Sequence, residues 1–184
     1  MQFRTARTIL RTYEPHDVKK LFSLWNDPEI QRLVFNDYTV PFGLKAIEKR
    51  IALLRKSPSF FAIIENKVTG EFMGHVGLSI HNQKNKDGVV SITFARPYWS
   101  NGYGTEVMQW LVGYGFRDVH LRRISLNVFE ENVRAIALYR KIGFIHEGMS
   151  RQSNWVQGKW MGAILMGLLV EEWDMEKGMR REVP

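Results

Sequence analysis

The 184-residue chain contains no cysteine. Disulfides, thiolate metal sites and a cysteine nucleophile are therefore excluded, and the absence suits a reducing compartment. Proline is scarce at six residues, too few and too scattered to form a linker. One domain over residues 1–184 is predicted, with its core from about residue 8 to 173 and a tail over 174–184. Long apolar runs are missing as well. The longest, Met161 to Val170, is too short to cross a bilayer and is broken by Gly162 and Gly167. The opening Met1-Gln2-Phe3-Arg4-Thr5 lacks the apolar block of a signal peptide. These absences predict a soluble, cytoplasmic protein without a membrane partner.

What the chain does have is positive charge, formally +7. Such an excess attracts anions, whether nucleic acid, acidic membrane or a phosphorylated cofactor. The Lys and Arg residues are dispersed, with no basic cluster interleaved with surface aromatics, which argues against nucleic acid. A chain of this length buries about 70% of its unfolded surface, so no metal staple is needed.

Residues 8–13 read as a first strand. Glu14-Pro15-His16-Asp17 is a helix-start signal, followed by Val18, Leu21, Phe22, Leu24 and Trp25 at helical spacing. Asn26-Asp27-Pro28 reads as a break, and a second helix is predicted over Leu44–Leu54, ending before Ser57-Pro58. Strands follow at Phe60–Glu65, Phe72–Ile80 and Gly88–Ala95, joined by polar turns. The rhythm then changes. Thr105–Phe116 has the apolar pattern of a helix laid on a sheet, and Ile124–Phe129 is a short strand. Asn132–Ile142 is a helix with Asn132 as N-cap and Gly143 as left-handed stop. Gln152–Trp155 and Lys159–Leu169 read as strands around Val156-Gln157-Gly158, and the charged tail from Glu171 to Pro184 as a frayed helix.

Chemistry concentrates in two passages. In Trp99-Ser100-Asn101-Gly102-Tyr103-Gly104-Thr105 a strand gives way to two glycines and then at once to a helix. Free amides at a helix start favour an anion, and glycines let a phosphate approach the main chain. The third glycine of a dinucleotide fold and the Gly-Lys-Ser/Thr of a P-loop are both absent. By itself the pattern is equally an ordinary tight turn. The second passage is Asn132-Val133-Arg134-Ala135-Ile136-Ala137-Leu138-Tyr139-Arg140-Lys141-Ile142-Gly143-Phe144. On periodicity alone Tyr139 is a core aromatic and Asn132 a cap.

Taken together, in this order and separation, the passages resemble the GCN5-related N-acetyltransferase (GNAT) superfamily. The likeness runs from about Thr8 to Trp173 and is strongest to the branch of ribosomal-protein N-terminal and spermidine or diamine acetyltransferases. It implies an α/β fold: a mixed, mostly antiparallel twisted sheet flanked by helices, with a splayed strand pair for acetyl-coenzyme A. It further implies that amides of Asn101, Gly102, Tyr103, Gly104 and Thr105 hold the coenzyme diphosphate. Ile92, Thr93 and Phe94 would pair with the pantetheine arm while strand 124–129 splays away, Asn132 and Ala135 would contact the cofactor, and Tyr139 would protonate the leaving thiolate. The acceptor would be a small-molecule amine or a protein N-terminus, and a homodimer is left open.

Two departures stand out. Trp99 occupies the position where the family often has Gln or Arg, and Val89 the position of a central-strand glutamate that helps deprotonate the amine. The second keeps open the alternative of a catalytically weak coenzyme A-binding module. His75 and His81 are the remaining bases, each equally a structural histidine, with a water relay as the default. Glu65 and Glu71 lie near a turn and are expected to be solvated. The loop at Phe35-Asn36-Asp37-Tyr38 and the hairpin at Trp155–Trp160 are expected to read the acceptor.

Overall fold

The computed structural model describes residues 2–36, 38–55, 60–176 and 178–180, without the side chains of His81 and Asn82. Asp37, Ser57, Pro58, the His81 side chain and residues 181–184 thus lie outside the described residues.

Eight strands form one sheet in the order β1-β2-β3-β4-β5-β6-β8-β7. They are β1 (Gln2–Arg4), β2 (Thr8–Arg11), β3 (Phe60–Asn66), β4 (Phe72–Asn82), β5 (Asp87–Phe94), β6 (Arg123–Phe129), β7 (Ile145–Val156) and β8 (Lys159–Leu169). All neighbours are antiparallel except β5 and β6. The crossover between those two is the helix α4 (Tyr103–Arg117), as a parallel connection requires. With α5 (Val133–Ile142) it covers one face of the sheet. Val107, Met108, Leu111 and Val112 of α4 and Ile136 and Ile142 of α5 pack there against Val76, Leu78 and Val90.

The opposite face is covered by α1 (Val18–Trp25), α2 (Pro28–Val34) and α3 (Leu44–Leu54), which bury Leu21, Trp25, Ile30, Ile47 and Ile51 against Ile63. The predicted break at Asn26-Asp27-Pro28 is in fact the start of α2. The Asp27 carboxylate accepts the Glu29 amide at 2.9 Å, and Pro28 sits at the first helical position, where its missing N–H costs nothing. The start of α1 is fixed by Asp17, fully buried, which accepts the Glu14 amide at 2.9 Å and both Nη atoms of Arg11 at 2.7 Å. Arg11 also reaches Glu65 at 2.7 Å, so Glu65 is ion-paired and not simply solvated.

Gly143 ends α5 with φ of +118°, as its position predicts. Among its described residues the tail is not an α-helix. A 3-10 turn over Val170–Glu172 leads into β9 (Trp173–Asp174), which pairs with β10 (Met179–Arg180). Trp173, 1% exposed against Phe116, anchors it, so tertiary burial overrides the local helical preference.

Candidate active site

β5 pairs with β6 only through Asp87↔Arg123, Gly88↔Ile124 and Val89↔Ser125, while β4 follows β5 as far as Phe94. Beyond Val89 the two parallel strands diverge, and residues 90–94 have no ladder partner on that side. A cavity of about 440 Å³ opens beside this divergence. Its walls are Ile92, Thr93 and Phe94 of β5, then Trp99, Ser100, Gly102, Gly104 and Thr105 of the following loop and α4. Asn132, Arg134, Ala135, Leu138 and Lys141 of α5 and Ile30, Leu33 and Val34 of α2 complete it.

The loop is shaped to expose main chain. Ser100 and Gly102 are left-handed, at φ +61° and +80°, and the N-cap of α4, Gly102, supplies no side-chain hydrogen bond. A serine in this region carries backbone strain, which concentrates at binding sites. Gly104 is a close-approach position, since a Cβ there would lie 2.5 Å from Cδ1 of Leu138. The loop is held from outside by Arg7. Its Nη1 donates to the Asn101 carbonyl at 3.0 Å, its guanidinium lies 4.3 Å above the Tyr103 ring, and its Nε pairs with Glu106 at 2.7 Å. Thr5 also donates to Glu106. Asn101 and Tyr103 are therefore turned toward Arg7 and not into the cavity, although eight of the ten predicted cofactor-contact residues do line it.

Trp99 closes one corner. Its indole donates to the Phe94 carbonyl at 2.7 Å, and the Arg134 guanidinium lies 4.1 Å over its ring. The tryptophan that replaces the usual Gln or Arg thus becomes the platform for an arginine from α5. Sequence reasoning missed Arg134, Leu138 and Lys141, yet their i, i+4, i+7 spacing places them on one helix face and was the available signal.

Tyr139 is not among the residues that line the cavity: it follows the lining residue Leu138 and is buried in the core, 7% exposed, with its ring 5.8 Å from Phe144 in an edge-on contact. Burial pushes its phenol up to about 12. Asn132 spans cavity and helix, its carbonyl oxygen accepting the Ala135 amide at 3.3 Å.

The other expected groups fall elsewhere. His75, in β4, is 5% exposed between Trp25 and Phe61. The Trp25 indole can only donate, so His75 Nε2, at 2.9 Å, must accept and the imidazole is neutral. Burial, reinforced by Arg50, holds it at about 3, too weak a base to take an amine's proton. Glu71 is engaged by the Thr69 hydroxyl at 3.0 Å. Tyr38, Phe35 and Trp155 come together around a second cavity of about 220 Å³ that also contacts Arg32, with Trp160 stacked edge-on against Trp155 at 5.2 Å. Among the described residues no helix is long and apolar enough to cross a membrane.

A family model described as an acetyltransferase (GNAT) domain matches residues 7–145. The uncharacterized N-acetyltransferase p20 of Bacillus licheniformis is 28% identical over 173 residues, 92% of this chain and 96% of the relative. The spermidine N(1)-acetyltransferase of Escherichia coli (strain K12) is 28% identical over 159 residues, 85% and 83% of the two chains. In three dimensions the fold is similar to spermidine N-acetyltransferase from Vibrio cholerae in complex with CoA and spermine. The TM-score is 0.80 at 21% identity, covering 89% of this chain and 96% of that one. With the match spanning most of the chain and an anion-shaped loop set beside an opened sheet, the protein belongs to the GNAT acetyltransferase family and is an N-acetyltransferase.

Proposed function

We propose that this chain, acting as a single domain, binds acetyl-coenzyme A in the 440 Å³ cavity and passes its acetyl group to a primary amine. The observation that supports this best is one cavity joining the uncapped start of α4 to the open edge of β5. The residues fit the coenzyme's chemistry. Amides around Gly102, Gly104 and Thr105 suit a diphosphate, favoured by the helix dipole. Arg134 and Lys141 add cationic side chains on the same wall. The free edge of residues 92–94 offers main-chain groups to an extended amide-bearing arm, in the manner of an added strand.

Acetyl-coenzyme A supplies the acetyl group as a thioester, with a thiolate as leaving group. The chain's own part is to hold and give a proton. With its phenol at about 12, Tyr139 is fully protonated at neutral pH and retains a proton at Oη to donate. A thiol's ordinary value near 8.5 also rises in apolar surroundings, which narrows the gap between the two groups. No carboxylate or imidazole lines the cavity among the described residues, so the amine's proton is passed to water. Relatives named for spermidine acetylation support a small-molecule amine as acceptor.

The test is calorimetric binding of acetyl-coenzyme A, followed by thiol release across a panel of primary amines. Binding with turnover is the expected outcome. Absence of acetyl-coenzyme A binding would sink the proposal.

A further inference from the structure

The acceptor can be narrowed from the cavity wall away from the phosphate loop, where Ile30, Leu33 and Val34 of α2 and Ile92 of β5 form the lining. The carboxylates on the elements framing this wall are already engaged. Asp27 pairs with Arg96 at 2.7 Å, and Glu29 with Arg32 at 2.7 Å. Glu130 accepts the Gly162 amide at 2.6 Å, and Glu131 is ion-paired with Lys159 and with Arg32. On α4, Glu106 is held by Thr5 and Arg7, while Asp87, at the far end of β5, faces Ser125 and Arg123. The charged side chains left at the cavity are cations, Arg134 and Lys141.

Resting on the proposed acetyl-coenzyme A site, we infer that the acceptor is a monoamine on an apolar body and that polyamines are rejected, because the acceptor wall is apolar and the carboxylates around it are already engaged by other partners. A second ammonium drawn into this space would shed water without gaining a counter-charge, which is costly. An aliphatic or aromatic body gains by shedding water there. The second cavity has the same character, with Phe35, Tyr38 and Trp155 beside the already paired Arg32.

The proton points the same way. His75 is locked by Trp25 and stands outside the cavity, so the chain offers the amine no base there among the described residues. An acceptor that is weakly basic by itself is then favoured. An α-amine, ordinarily near 7.7–8.0, is free at pH 7 about 200–400 times more often than an alkylamine near 10.4.

The experiment compares kcat/KM for phenylalanine amide, 2-phenylethylamine and spermidine at saturating acetyl-coenzyme A, with coenzyme binding measured on the same sample. Phenylalanine amide is expected to exceed spermidine by at least about tenfold. Spermidine matching or exceeding it overturns the inference, as does failure of both monoamines while acetyl-coenzyme A binds. Loss of acetyl-coenzyme A binding withdraws the underlying site, and the inference with it. A substitution on the wall probes the electrostatics directly. Val34 is 40% exposed, so Val34→Asp is tolerated and should shift the preference toward spermidine by about tenfold, whereas Val34→Asn should not. A preference unmoved by Val34→Asp overturns the account.

Discussion

Replacing Tyr139 with phenylalanine removes one oxygen from a side chain that is only 7% exposed, and its effects separate by pH and by observable. The folded phenol stands at about 12 against an unfolded value of 10.0, raised by burial. A group whose folded value is raised holds its proton more tightly when folded. Its contribution is therefore complete below pH 10 and is lost as the pH climbs toward 12. Between pH 8 and pH 11 the wild-type chain should lose about 1.4 kcal/mol of stability from this group alone, one pKa unit's worth. Tyr139→Phe has no such loss. Urea unfolding of both proteins at pH 8 and pH 11 should thus show the variant gaining about 1.4 kcal/mol relative to wild type at the higher pH. Near pH 8 the same substitution should lower kcat by about 10²–10⁴-fold, with acetyl-coenzyme A affinity unchanged. A stability difference that stays constant with pH would refute the burial of the phenol. An unchanged kcat would refute its role as proton donor.

Arg134→Ala should weaken acetyl-coenzyme A binding by about tenfold or more at low salt, through loss of a charged partner for phosphate. Arg134→Lys should restore only part of it, since an ammonium cannot lie flat on Trp99; equal affinities in a salt titration of all three proteins would count against the Trp99 platform. Arg11→Ala strands the buried Asp17 carboxylate and should cost about 3–5 kcal/mol in chemical denaturation at pH 7. Adding Asp17→Asn should recover part of that loss, and a strictly additive double mutant contradicts the pairing. His75, held at about 3 against 6.5 when unfolded, contributes stability that is present above pH 6.5 and lost as pH falls. From pH 7 to 4.5 this amounts to about 2.5 kcal/mol. His75→Gln, which can keep an acceptor for the Trp25 indole, should lose correspondingly less, and parallel acid unfolding curves would exclude the effect.

What was legible in the chain was what local chemistry specifies. α3 was read with its observed bounds, and α5 with both of its caps, because their apolar periodicity and terminal residues agree. The Gly-x-Gly loop was legible for the same reason. α2 was not: in a seven-residue helix the periodic signal is too short, and Asp27-Pro28 reads equally as a break or as a cap with its first residue. β7 was read only from Gln152, although it begins at Ile145; its first half is a largely exposed edge without regular alternation. Arg7 bracing a loop some ninety residues away, and α2 closing the acceptor wall, are products of tertiary packing that spacing cannot encode.

The short ladder between β5 and β6 also bears on how the molecule avoids its own kind. Unpaired strand edges are templates for aggregation. At its outer margins this sheet ends in β1, only three residues long, and in β7, whose pairing with β8 is interrupted twice by shifts of register. The remaining open edges, those of β5 and β6 beyond Val89 and Ser125, lie within the sheet and face the same divergence. The fold thus keeps its hydrogen-bonding appetite turned inward, where a small extended molecule can satisfy it and another protein's strand is poorly placed to intrude.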